Sequence, residues 1–122
     1  MTKTILLTED DQDVGDLIQS ALESEGYEVV WVKDGVKAVE IIQDKKVDLI
    51  LLDIMMPTFS GYWFCDVFKK NPQTKDIPII FISALNSETD IKRGMDLGAS
   101  AFLTKPFKMQ QLFDMVASFL NT

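Results

Sequence analysis

The chain has 122 residues, 47% apolar and 25% charged, which suits one domain with a real hydrophobic core. Its formal net charge of −7 repels phosphate backbones and argues against direct nucleic-acid binding. With no histidine and one cysteine, Cys65, it cannot hold a Ser/His/Asp triad, a histidine-ligated metal, a phosphohistidine of its own or an internal disulfide framework.

Met1-Thr2-Lys3 leads directly into an apolar run, Ile5-Leu6-Leu7, without a signal-peptide layout. Thr8-Glu9-Asp10-Asp11 follows, with Asp11 and Asp13 placed to cap a helix and complement its dipole. Val14, Leu17, Ile18, Ala21 and Leu22 form the apolar stripe of that helix, and Gly26 fits its C′ position. The second run, Val29-Val30-Trp31-Val32, precedes a helix bearing Val36, Val39 and Ile42, entered through Asp34-Gly35. The third, Leu49-Ile50-Leu51-Leu52, ends at Asp53, and past the breaker Pro57 a helix carries Phe64, Cys65 and Phe68. Cys65 reads as core. Beyond Asn71-Pro72 come Ile79-Ile80-Phe81-Ile82 with Ser83, then a helix with Ile91 and Met95 that Gly98 closes. Ala101-Phe102-Leu103 leads into Thr104-Lys105-Pro106, and a last helix shows the stripe Met109, Leu112, Phe113, Val116 and Leu120. Both tryptophans and most phenylalanines read as core or half-buried. No apolar run reaches the roughly 18 residues of a membrane span, so no membrane is expected and the cytoplasm is the expected compartment.

Five strands alternating with five helices imply a parallel sheet with right-handed crossovers, helices on both faces. One α/β domain is expected over 1–122, a doubly wound sheet that is flavodoxin-like if its strand order is 2-1-3-4-5. The residues following each strand then share the C-terminal edge, where open α/β sheets bind ligands. Glu9 and Asp10 fall beside Asp53, flanked by Ser83 and Lys105. Close carboxylates repel one another unless a cation joins them, and an all-oxygen donor set points to Mg²⁺, with Mn²⁺ its substitute. A carboxylate such as Asp53 can attack phosphorus and become an aspartyl-phosphate. The metal and Lys105 can stabilise charge on the transferring oxygens, and the Ser83 hydroxyl can donate to one of them.

Glu9-Asp10 after strand one, Asp53 with Pro57 and Gly61 after strand three, Ser83-Ala84 after strand four, and Lys105-Pro106-Phe107 after strand five together resemble the receiver domain of two-component response regulators. The resemblance covers nearly the whole chain. It implies that Asp53 accepts a phosphoryl group from a histidine kinase or histidine phosphotransfer protein. It further implies that Asp10, Asp53 and the Met55 carbonyl bind Mg²⁺ directly, with Glu9 acting through water. Lys105 would pair with the phosphoryl group across a cis Lys105–Pro106 bond, Ser83 would be the switch hydroxyl, and Phe102 the aromatic that turns inward. The loop beginning at Ala84 would shift and reshape the face of helix four, strand five and helix five. That face would control a downstream output protein or an output domain following this segment. The domain would be a switch that assists its own phosphorylation and dephosphorylation, not a metabolic enzyme.

Several positions depart from the commonest family pattern. Ser83 stands for threonine and Phe102 for tyrosine. Met55 and Leu85 stand where polar groups are frequent in members with fast phosphate loss, which implies a longer-lived phosphoaspartate. Ser100 and Ala101 replace acidic residues of a dimer seen with winged-helix outputs, which weakens that output class. The alternatives are a Mg²⁺-dependent aspartyl-phosphate phosphohydrolase, a flavin mononucleotide module and a receiver-like module that is never phosphorylated. The first lacks a general acid, since Met55 occupies its place, and in the second Glu9-Asp10-Asp11 would repel the flavin phosphate.

Overall fold

The computed structural model describes residues 2–120. Its elements alternate strictly: β1 (Thr4–Thr8), α1 (Gln12–Ser24), β2 (Glu28–Val32), α2 (Gly35–Asp44), β3 (Leu49–Asp53), α3 (Gly61–Lys70), β4 (Ile79–Ser83), α4 (Glu88–Asp96), β5 (Ala101–Thr104) and α5 (Met109–Leu120). The strands form one parallel sheet, as the alternation implied, in the order β2-β1-β3-β4-β5.

Period-two alternation divides the central strands between two cores. Leu6, Ile50, Leu52 and Phe81 face α2, α3 and α4, where Ala38, Phe64, Cys65 and Phe68 meet them. Ile5, Leu7, Leu49, Leu51, Ile80 and Ile82 face α1 and α5, against Ile18, Leu22, Leu112 and Val116. Burying each such side chain contributes about 1.5–3 kcal/mol, so the three inner strands anchor the fold. The outer strands β2 and β5 are only partly buried.

Local signals set the helix ends. The Asp11 carboxylate accepts from the Val14 N–H at 3.0 Å, and Asp34 accepts from Lys37 at 2.9 Å. Ser87 and Asp90 form a reciprocal capping box at the start of α4. Gly26 and Gly98 take positive φ, 97° and 107°, where α1 and α4 end. In both, paired backbone bonds run back to the helix: Gly26 to Glu23 and Tyr27 to Leu22, then Gly98 to Met95 and Ala99 to Gly94.

Four expectations about burial need correction. Leu17, placed on the inward stripe of α1, is 61% exposed, because Ile18, Leu22 and Gly15 supply the buried face. Val36 is exposed because α2 packs through Gly35 and Ala38, small residues that permit close approach. Met95 also points outward: α4 rests on Gly94, where a Cβ would come within 2.9 Å of the Phe81 ring. Trp63, expected in the core or half-buried, is 48% exposed, and its stacked neighbour Phe59 is 42% exposed. Heavy side chains were the visible signal, whereas small ones make the contacts.

Candidate functional site

Parallel strands that end together deliver their last residues to one rim. Asp53 closes β3, with its Cα paired to Ile82, and Ser83 closes β4 opposite Thr104 of β5. β1 stops at Thr8, so Glu9 and Asp10 lie in the loop just beyond it, after strand one as expected. Lys105 immediately follows β5.

Glu9, Asp10 and Asp53 each place a carboxylate oxygen within 4.8 Å of the other two. The Lys105 ammonium donates to Glu9 Oε1 at 2.7 Å and to Asp53 Oδ2 at 3.0 Å. The second Asp53 oxygen accepts from the Met55 N–H at 3.1 Å, and the second Glu9 oxygen accepts from the Asp11 N–H at 3.2 Å. Glu9 is 1% exposed and Asp53 5%, so both are charged groups inside the protein envelope. The Trp31 indole N–H donates to the Glu9 carbonyl at 2.9 Å, and the Glu9 N–H donates to Val32 at 3.0 Å. These bonds fix the Glu9 backbone from β2. Trp31 gave no sign of this in the sequence, where it reads as one more apolar residue of a strand.

Burial pushes the Glu9 carboxyl above its ordinary value; the Lys105 hydrogen bond pulls it down, and the nearby Asp53 charge pushes it up again. For Lys105, burial works against the ammonium, but hydrogen bonds to Glu9 and Asp53 outweigh it and raise its pKa. Fully ionised, three carboxylates against one ammonium leave two negative charges in excess. A divalent cation matches that excess. Among the described residues the Asp10 carboxylate, which lies beside Asp53, makes no hydrogen bond or ion pair, and the Met55 carbonyl accepts none, so both keep free lone pairs. Hard oxygens with free lone pairs fit Mg²⁺ or Mn²⁺ and would suit a soft metal poorly.

The flanking positions are equally well defined. Ser83 is buried, and its hydroxyl oxygen accepts from the Leu85 N–H at 3.1 Å. Ala84 is exposed at the start of the loop into α4. The Lys105 N–H donates to the Ser83 carbonyl at 2.8 Å, and the Lys105–Pro106 bond is cis. Phe102 is half-buried, with its ring 6.0 Å from Phe81. Pro57 lies in the loop after Asp53, where Thr58 takes a φ of 72°. Gly61 opens α3 against the Asp53 carbonyl, with no room for a Cβ, and donates to the Ile54 carbonyl at 2.8 Å. Met55, exposed, and Leu85, half-buried, line a groove that also contains Asp10. No helix among the described residues is long and apolar enough to cross a membrane.

A family model described as the response regulator receiver domain matches residues 5–117. The transcriptional regulatory protein YrkP of Bacillus subtilis is 39% identical over 121 residues, 99% of this chain and 51% of its own length. The chain thus spans about half the length of the curated relatives it matches. A response regulator of Chloroflexus aurantiacus superposes with a TM-score of 0.94 at 30% identity, covering 100% of both chains. The receiver domain of the sensor histidine kinase PA1611 of Pseudomonas aeruginosa superposes with a TM-score of 0.90 at 29% identity, again over 100% of both chains; a magnesium ion is coordinated in its active site cleft.

Proposed function

The chain belongs to the response regulator receiver domain family, and from that premise we propose that Asp53 is its phosphoacceptor. The receiver comprises the whole of 1–122, with Glu9, Asp10, Asp53 and the Met55 carbonyl as its metal set. The observation that supports this reading is the Lys105 ammonium bridging Glu9 and Asp53 at a rim with two negative charges to spare. A bound Mg²⁺ or Mn²⁺ supplies positive charge to the transferring phosphoryl oxygens and offsets the surplus negative charge.

In the transfer, an Asp53 oxygen forms a bond to phosphorus while the bond from phosphorus to the donor's imidazole nitrogen breaks. The electron pair stays on that nitrogen. Lys105, released from Asp53 Oδ2, follows the new charge onto a phosphoryl oxygen. The Ser83 hydroxyl, which now accepts from Leu85, donates to another phosphoryl oxygen, and the loop from Ala84 moves with it. Phe102 then turns inward toward the space the loop vacates. Phosphate adds about −1.5 to −2 charge and three acceptor oxygens, which biases the α4-β5-α5 face between two arrangements. An output protein or output domain reads that face.

The donor is a histidine kinase or phosphotransfer protein, the donor class that goes with the receiver family, and this segment carries no histidine of its own. Beside Lys105, Val14, Leu17, Pro106, Phe107 and Met109 line an apolar groove suited to its approach. Hydrolysis of the phosphoaspartate is slow, since Met55 and Leu85 offer attacking water no polar anchor. The test is intact mass after incubation with acetyl phosphate, with and without Mg²⁺. One phosphoryl group is expected with the metal, none without it, and none in Asp53→Asn. Leu17→Glu separates the donor groove from the chemistry: it slows transfer from a protein donor and leaves acetyl phosphate unaffected.

A further inference from the structure

The groove between α3 and α4 adjoins the acidic rim, since Tyr62 and Arg93 also line the groove that contains Asp10, but it includes none of Glu9, Asp10, Asp53, Ser83 and Lys105. It measures about 460 Å³ and includes Phe59, Tyr62, Trp63, Asp66 and Arg93 in its walls. Phe59 and Trp63 stack with ring centroids 4.6 Å apart at 20°, yet both remain exposed, to a little under half of their surface. Two exposed aromatics fixed against each other cost little further entropy on binding and offer a flat apolar platform.

Arg93 is the sole arginine of the chain. Its guanidinium lies over the Tyr62 ring, 4.2 Å from the centroid, while the Tyr62 hydroxyl donates to the Asp90 carbonyl at 3.0 Å. That geometry preorganises the fork. The neighbouring charges are already taken: Asp66 pairs with Lys70 at 3.0 Å, Lys92 with Asp96 at 2.8 Å, and Asp90 closes the capping box. Among the described residues Arg93 makes no ion pair. The one uncommitted charge of the groove is therefore positive, on a chain whose net charge is −7. Planar guanidinium donors match a carboxylate, and Arg, Tyr and Trp together are the residues that dominate binding energy at protein interfaces.

We propose that the α3–α4 groove is a docking site for a partner protein's segment that presents a carboxylate beside a large apolar side chain. The carboxylate meets Arg93, and the apolar side chain lies on Phe59 and Trp63. A second copy of this chain fits less well, since two surfaces of net charge −7 repel. None of the contacts proposed here uses Asp53, a phosphoryl group or a metal.

The test uses the full chain, isotopically labelled, titrated with a capped peptide having a Glu-Leu-Phe-Glu core. Two control peptides carry glutamine for both glutamates or alanine for Leu and Phe. The parent peptide is expected to shift the Trp63 indole signal and the amides of residues 58–66 and 90–97, saturably and equally in Asp53→Asn. The glutamine peptide, the alanine peptide, Arg93→Gln and Trp63→Ala should each weaken binding about tenfold, as expected for loss of one charge-assisted contact or one anchor. Circular dichroism confirms that each variant is folded, and Arg93→Lys, which keeps the charge, should lose less than Arg93→Gln. Absence of binding by the parent peptide, equal binding of the glutamine peptide, or shifts centred elsewhere overturns the proposal. So does a concentration-dependent dimer in sedimentation that Trp63→Ala abolishes, which would assign the face to a second copy.

Discussion

Leu52 and Asp53 are consecutive residues of β3, 0% and 5% exposed, and they are buried for opposite reasons. The body of the sheet buries Leu49 to Leu52 because removing their apolar surface from water stabilises the fold. At the rim, Glu9 and Asp53 are buried although taking carboxylates out of water is costly, and Lys105 offsets only part of that cost. A protein that optimised stability alone would have little use for such a rim. The contrast separates what holds the molecule together from what it does.

Several substitutions break or sharpen that contrast. The largest effect belongs to Asp53→Asn, which should abolish phosphoryl incorporation by intact mass while leaving the urea midpoint unchanged or higher, because one repelling carboxylate is gone. A large loss of stability would mean that the rim is structural. Leu51→Ala is the converse. It should cost about 2–5 kcal/mol in urea denaturation, with phosphorylation of the remaining folded protein preserved.

Cys65 probes the body by pH. Burial pushes its thiol up to about 11 from an ordinary 9.0, with Lys69 and Asp66 as smaller opposing influences. The unfolded thiol ionises first, so the folded state holds the extra proton and loses stability as pH rises from about 9 through about 11. The loss amounts to about 2.7 kcal/mol at most. Cys65→Ala should flatten that decline in pH-dependent urea melts, and an equally steep decline would place the thiol in contact with water. Mg²⁺ probes the rim: at ten times its dissociation constant it should stabilise the wild type by about 1.4 kcal/mol in thermal melts. Asp10→Asn should remove most of that gain. The smallest effect is expected at Thr58, a β-branched residue at φ 72°. Thr58→Asn should raise stability by roughly 1 kcal/mol by relieving left-handed strain, visible as a higher melting temperature.

The parallel sheet and the gathering of polar residues at its C-terminal edge were legible because apolar runs and the polar residues after them are both local signals, whereas strand order is a long-range property that no single run carries. β1 and Asp53 illustrate this, since strand, terminus and chemistry sit within a few residues. Helix faces were less legible. Gly35, Ala38 and Gly94 make close contacts through the absence of a side chain, so Val36 and Met95 looked like the inward residues and are not. The Trp31–Glu9 bond joins residues 22 positions apart, and no pattern in either segment announces it. The α3–α4 groove was invisible for the same reason: Arg93 meets Tyr62 only through the crossover that brings α4 beside α3.

The central claim is that the rim makes one particular carboxylate nucleophilic toward phosphorus. Borohydride reduction after phosphorylation converts an aspartyl-phosphate to homoserine, and fragment masses then locate it. The account predicts homoserine at position 53 alone, formed only when Mg²⁺ accompanied the donor. Modification at residue 10 or residue 9, or at 53 without metal, would contradict it.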